Sequence, residues 1–433
     1  MRNETTETIL KLIEKSPTAF HAMENLKNEL ENKGFTGLKE TETWKLQPGG
    51  RYYVTRNHSS ILSFVIPSER PSAFRLIASH SDSPCFKLKP CPEISSVGSC
   101  VTLNVERYGG MIHSSWLDRP LSIAGRVIVH HRGILEEKLV SIDRDLLMIP
   151  SLAIHMNPQT NKGMEYNLQK EMLPILTQDL SDEEKAANPR TVMDLIAGQL
   201  DVAPEEILGS DLFLYNRMPP VFWGTEQEFI ASPRLDDLEC CFATFLGFLK
   251  ASEAAVHEHI VNVHAVFDNE EVGSGTAQGA DSTFLEEVME RISLACGCSR
   301  EQFMAQVASS FMLSADNAHA AHPNYPEKAD PINRPVMNRG IVIKHNANQK
   351  YTTDGISNAI LLRLCQEHGI PYQFFTNRSD MAGGSTLGNI AQAHVSMKTA
   401  DIGLAQLAMH SSYESAGADD PDYLKQLAQA FYT

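Results

Sequence analysis

Five groups of histidine and carboxylate residues stand where buried strands or helix starts would deliver them. They are His80-Ser81-Asp82, Asp236-Asp237, Asp268-Asn269-Glu270-Glu271, Asp316 with His319, and His410. Any one of them is weak evidence. A lone His-x-Asp is a chance pattern, and a Glu-Glu pair is most often a solvated helix start. All five sit directly after an apolar run or just before a helix. Sheets of the α/β kind gather ligands at the carboxyl ends of their strands, so the set is hard to explain as surface decoration.

The residue types point to divalent metal ions. Imidazole nitrogen and carboxylate oxygen suit zinc, and an open site keeps a position for water. Two ions ~3.5–4 Å apart need a shared carboxylate to offset their repulsion. His80, one bridging Asp and Asp316 suffice for one ion. The same bridge with Glu271 and His410 suffices for the other. Asp82, two residues from His80 on the same side of an extended segment, is placed to accept the imidazole N–H and fix its tautomer. Glu270 is placed to take a proton from a bridging water and hand it to a leaving amine.

His319 follows Asp316 closely, and an imidazole there can donate a hydrogen bond to substrate or to an oxyanion. His322 reads equally well as a plain loop residue. Lys344 closes the apolar run GIVI, where an ammonium at a pocket floor would attract an acidic side chain, although lysines are mostly solvated. Gly383-Gly384-Ser385 reads as a turn rather than a phosphate loop, since no P-loop lysine follows.

The elements that must hold these residues alternate between strand and helix, which implies an α/β fold with crossover helices. Ile9, Leu12 and Ile13 share one helical face, Phe20, Met23, Leu26 and Leu30 continue in a second helix, and Gly34 is a plausible stop. RYYVTRN, SILSFVIP, FRLIASH, VNVHAVF, FMLSAD, GIVIKH and PYQFFTN read as strands. DDLECCFATFLGFLKA reads as an amphipathic helix. VTLNVERYG and LSIAGRVIVHH add strands in the middle of the chain, and residues 158–190 read as a polar excursion followed by the helix TVMDLIAGQL. The expected division is an α/β domain from residues 1–92 and 234–433, with a β-rich domain, 93–233, inserted into it.

Composition narrows the partners. The 433 residues are 42% hydrophobic and 21% charged, ordinary for a globular enzyme of two or three domains. Lys and Arg total 37 against 54 Asp and Glu, a formal charge of −17. That argues against nucleic acid or an anionic membrane as the main partner, since both need a basic footprint. No stretch approaches the ~20 apolar residues of a membrane span. The opening segment lacks a secretory apolar core, so a cytoplasmic location is expected. The eight cysteines form no CxxC pair and are expected to be free thiols.

HSDSPCFKLKP, SPRLDDL, FDNEEVGS, SADNAHAAHPNY, IKHNANQKYTTD and QLAMHSSYE together resemble the signature segments of the aspartyl aminopeptidase family, in the family's order. The resemblance implies a zinc-exopeptidase catalytic domain with a mixed sheet, an inserted dimerisation domain, and a dodecamer built from dimers. It implies a cytosolic enzyme that removes N-terminal Asp or Glu from peptides with two zinc ions per subunit, cobalt or manganese being alternatives. Carried over by position, it makes His80, Asp236, Glu271, Asp316 and His410 the ligands, with Asp236, the Asp of RLD, as the bridge. Glu270 becomes the general base and Asp82 the orienter of His80. LAIHMN is similar to the segment whose histidine enters a neighbouring subunit's site, which singles out His155. The chain departs from the family pattern at Asp237, where Asn is expected, and in NRSDMAGGSTLG. A related dinuclear peptidase or deacylase of broad or neutral specificity is the alternative reading.

Overall fold

The computed structural model describes residues 3–178, 191–254 and 256–433. The part of the polar excursion at 179–190 lies outside them. The described chain forms two compact units. The first comprises Met1–Ser83, Pro220–Met409 and Glu414–Thr433, and the second Pro84–Pro219 with His410–Tyr413.

The first unit is built on a nine-stranded mixed sheet. From edge to edge its strands are Thr36–Leu38, Arg51–Arg56, Ser60–Val65, Ile260–Phe267, Ala73–His80, Phe311–Ala315, Lys398–Gly403, Ile341–Lys344 and Tyr372–Phe375. The four from Ile260–Phe267 to Lys398–Gly403 are mutually parallel. Their side chains alternate between faces, as strand geometry requires. Ile77 and Val266 join the apolar core on one face, while Phe74, Leu76, Val263 and Phe267 join the core on the other. Helices cover both faces, the arrangement that buries a parallel sheet. A five-stranded sheet (Val221–Trp223, Phe229–Ser232, Glu414–Gly417, Ala405–Leu407 and Ala318–His319) completes the unit.

The helix after Arg234 departs from expectation. Leu235–Ser252 is not amphipathic: all its residues except Leu246 and Lys250 are buried. It packs against the terminal helices Glu4–Glu14 and Asp420–Tyr432 as well as the sheet, so only the strip at Leu246 and Lys250 is left toward solvent. The second helix ends as its sequence predicts, with Gly34 taking φ +79° just beyond it.

The second unit is a six-stranded sheet in the order Ile134–Ser141, Leu121–His131, Ile207–Asn216, Cys85–Ser95, Cys100–Tyr108, Ile175–Gln178, all neighbours antiparallel. One face carries an apolar core with Phe86, Trp116, Ile123, Leu212 and Leu214. The units part at 83/84 and 219/220, not at 92/93 and 233/234. Cys85–Ser95 is one strand of the six-stranded sheet, so a boundary at 92 would cut it. Phe229–Ser232 pairs with Glu414–Gly417 and so belongs with the first unit.

Candidate metal centre

The site lies where parallel strands end. Register sets His80 opposite Phe267, and Ser314 opposite Ala78, so Asp316 comes level with His80. Asp236 and Asp237 open the buried Leu235–Ser252 helix without helical dihedrals, after Arg234 takes φ +58°. A left-handed backbone is uncommon for arginine, and such residues cluster where a fold must aim functional groups. Asn269, at φ +64°, makes the corresponding turn before Glu270 and Glu271. Its side-chain oxygen accepts from Thr276 Oγ1 and Gln278 Nε2, each at 2.8 Å, and so pins the loop.

Within the first unit the described residues converge in two overlapping groups. His80, Asp236, Asp237 and Asp316 each offer a donor atom within 4.8 Å of the others, and so do His80, Glu270 and Glu271. His80 Nε2 lies 3.4 Å from Asp236 Oδ1. Its Nδ1 lies 3.1 Å from the Asp82 carbonyl and 3.4 Å from Asp82 Oδ1. The tautomer is therefore held more closely by the backbone of Asp82 than by its carboxylate. That carboxylate instead accepts the backbone N–H groups of Glu270 and Glu271, one per oxygen, both at 3.1 Å. Asp237 is fully buried and accepts the His80 backbone N–H at 3.1 Å.

Crowding shows in the acid–base character. Burial raises Asp237 well above the usual carboxylate range, opposed by His80 and reinforced by Asp316 and Asp236. Burial likewise raises Asp316, against the pull of Lys344. Burial lifts Glu270 to about 7, with His80 opposing and Asp316, Asp82 and Asp236 adding. Burial alone would lower His80, but Asp237, Asp236, Asp82 and Glu270 outweigh it and hold the ring well above its ordinary value. This many carboxylates in one buried space call for more positive charge than His80 and Lys344 carry. Oxygen and imidazole donors without a thiolate suit a divalent ion such as zinc. The nearby Cys240 thiol is occupied instead with Asn317 Oδ1, at 2.9 Å.

The remaining sequence candidates are placed as follows. Lys344 is buried, its ammonium 2.8 Å from the Asn317 carbonyl, 3.4 Å from Asp316 Oδ2 and over the Tyr351 ring. His319 is exposed and stacks edge-on with Phe375. His410 falls in the second unit, at φ +66°, with Nδ1 2.8 Å from the Gly110 carbonyl. His155 is exposed in a turn of the second unit. Sequence reasoning gave Asp237 no role of its own and missed the buried polar residues Glu239, Gln406 and Glu414. The available signal was Asp237 and Glu239 interrupting an otherwise apolar helix, since charged residues are rarely buried without a purpose.

The chain is similar over nearly its whole length to known proteins. A family model described as Aminopeptidase I zinc metalloprotease (M18) matches residues 12–432. A probable M18 family aminopeptidase 2 of Clostridium acetobutylicum is 45% identical over 440 residues, spanning 100% of both chains. The structure of Ape4 in complex with Nbr1 matches with a TM-score of 0.94 at 37% identity, over 99% of this chain and 85% of that one. The S. cerevisiae mApe1 dodecamer matches with a TM-score of 0.86 at 27% identity, over 99% and 96%.

Proposed function

This chain belongs to the M18 family of zinc aminopeptidases, and on that premise we propose that it removes acidic residues, Asp or Glu, from the N-termini of peptides, using two zinc ions per subunit. The observation that carries the reading is the convergence of His80, Asp236 and Asp316 beside Glu270 and Glu271 at the strand ends. His80, Asp236 and Asp316 would hold one ion. Asp236 would be shared, and Glu271 with His410 would complete the second set, His410 being supplied by the resemblance of QLAMHSSYE. When bound, the ions polarise the scissile carbonyl and make water a nucleophile at neutral pH.

The protein's own groups do the rest. Glu270, held by its backbone to Asp82, takes a proton from the attacking water and returns it to the leaving amine. Asp82 also orients His80. His319 contacts substrate at the exposed rim. Lys344 sets positive charge against a cluster that would otherwise repel an acidic side chain, which favours Asp and Glu over neutral residues.

Self-association is part of the reading, as a dodecamer built from dimers with the inserted unit as the dimerisation domain. The mApe1 neighbour is a dodecamer. Leu152, Ile154 and Met156, flanking His155, are 54%, 46% and 73% exposed, a run of large apolar side chains that suits an interface. His155 would then serve a partner's site. No helix among the described residues is long and apolar enough to cross a membrane. A cytoplasmic location belongs to the same reading, on the sequence expectation alone.

The test is a panel of aspartyl, glutamyl, alanyl and leucyl amides with N-acylated controls, assayed after chelation and zinc add-back. Zinc-dependent turnover that is fastest for the acidic residues and absent for the acylated controls is expected. Equal rates on neutral residues would favour the broad-specificity reading, and preference for acylated substrates a deacylase.

A further inference from the structure

Beneath the cluster runs a row of polar side chains that the chemistry above does not use. Glu239, Asn317, Gln406 and Glu414 are each no more than 2% exposed. Glu414 Oε2 accepts the backbone N–H of Asp236 at 3.0 Å. Its Oε1 accepts from Gln406 Nε2 at 3.4 Å. Gln406 Oε1 accepts from Asn317 Nδ2 at 2.8 Å, and the same Asn317 nitrogen donates to Glu239 Oε2 at 2.8 Å. The backbone carbonyl of Asn317, next to Asp316, accepts the Lys344 ammonium at 2.8 Å. The row thus begins on the residue proposed as the bridge and ends beside another proposed ligand.

The fold brings these residues together deliberately. Ala318–His319 and Ala405–Leu407 run parallel, with His319 opposite Gln406. Glu414 pairs with Ser232, just ahead of the turn into Asp236. Donors and acceptors alternate with one polarity. Carboxylates stand at both ends, so Gln406 turns its N–H to Glu414 and its oxygen to Asn317. Burying such groups is costly unless every partner is met, and an apolar filling would be at least as stable. The gain from the row is therefore in position rather than stability.

We propose that Glu414 is a positioning residue of the metal centre: it fixes the Asp236 backbone directly and, through Gln406 and Asn317, the seat of Lys344 beside Asp316, and so sets the spacing of the two carboxylates that receive zinc. The inference rests on the metal reading given above. The row makes a specific demand on substitutions. Glu414→Gln sets a new N–H donor against that of Gln406, and turning Gln406 over passes the mismatch on to Asn317. Gln406→Glu alone sets two carboxylates against each other. The double exchange, Glu414→Gln with Gln406→Glu, restores the alternation with the net charge unchanged and still leaves an oxygen for the Asp236 N–H.

Zinc affinity is measured on the full-length protein by competition with a chromogenic chelator, and thermal unfolding is followed on the chelator-treated protein. Each single variant is expected to bind zinc ~10–100-fold more weakly, the range for partners that orient a ligand. The double variant is expected to recover most of the loss, because coupled neighbours are not additive. Wild-type affinity in Glu414→Gln overturns the proposal. So does a double variant that unfolds like wild type yet binds zinc no better than the singles. A double variant that folds no better than the singles refutes the alternating chain itself. Wild-type protein that takes up no zinc would instead defeat the metal reading, an outcome visible before any variant is compared.

Discussion

Asp82 grips Glu270 by the backbone, its Oδ1 accepting the Glu270 N–H at 3.1 Å while Oδ2 accepts the Glu271 N–H at the same distance. A single carboxylate therefore aims both the proposed proton carrier and a proposed ligand, and each bond is strengthened by the charge on the acceptor. Asp82→Asn replaces one acceptor oxygen with a donor that faces an N–H. Turnover is expected to fall ~10–100-fold with KM changed much less. Steady-state kinetics check this, and an unchanged kcat would contradict the positioning role.

Glu270→Gln removes the proposed proton carrier and spares every proposed ligand. The protein should retain its zinc, measured by elemental analysis, and lose ~10²–10⁴-fold in turnover, the usual share of a general acid–base group. Full activity in that variant would reassign the base.

The proposed sharing of Asp236 between two ions predicts unequal costs of ligand loss. Asp236→Ala should empty both positions, whereas His410→Ala should weaken one. Zinc equivalents counted on purified variants decide it. Two equivalents retained in Asp236→Ala would overturn the bridge.

Much of this site is legible in the sequence because its strands are short, apolar and sharply bounded. Ala73–His80, Ile260–Phe267 and Phe311–Ala315 each run straight into a polar residue, so strand ends and candidate ligands read off together. The inserted sheet is harder to read. Ile134–Ser141 buries only Val140 and Ile207–Asn216 buries only alternate positions in its second half, so neither makes a strong apolar run. The polar residues Gln406 and Glu414 were illegible for a different reason. A one-dimensional pattern assigns polar residues to solvent, and only tertiary hydrogen bonds reveal them as interior. Domain limits failed likewise, since strand pairing at Cys85–Ser95 and Phe229–Ser232 leaves no linker composition behind.

His264 gives a pH dependence that is separate from the site. It is fully buried between Phe245 and Phe248, with Nε2 3.0 Å from Thr244 Oγ1, and burial lowers it to about 3. The folded protein therefore keeps this ring neutral, while an unfolded histidine titrates near ~6.5. Stability from this group is fully present above the unfolded value and is lost as pH falls from there toward the folded value, by about 1.4 kcal/mol per unit. Between pH 7 and 5 the wild type should lose roughly 2 kcal/mol more than His264→Gln in urea unfolding. Parallel losses in the two proteins would show that His264 does not carry the dependence.

His155 predicts that activity depends on assembly. It is exposed in a turn of the inserted unit, amid Leu152, Ile154 and Met156, and lies far in sequence from every proposed ligand. A residue so placed reaches a reaction centre most simply from a partner chain. If it stabilises the oxyanion there, His155→Ala should cost ~10²–10³-fold in turnover, as deleting an oxyanion donor does. Complementation separates this from a local structural role. Glu270→Gln and His155→Ala, each inactive, are mixed under conditions that exchange subunits. A shared site then pairs an intact Glu270 from one chain with an intact His155 from the other, and activity partly returns. A fully active His155→Ala, or no recovery after exchange is verified by mass-labelled subunits, would place His155 outside the reaction.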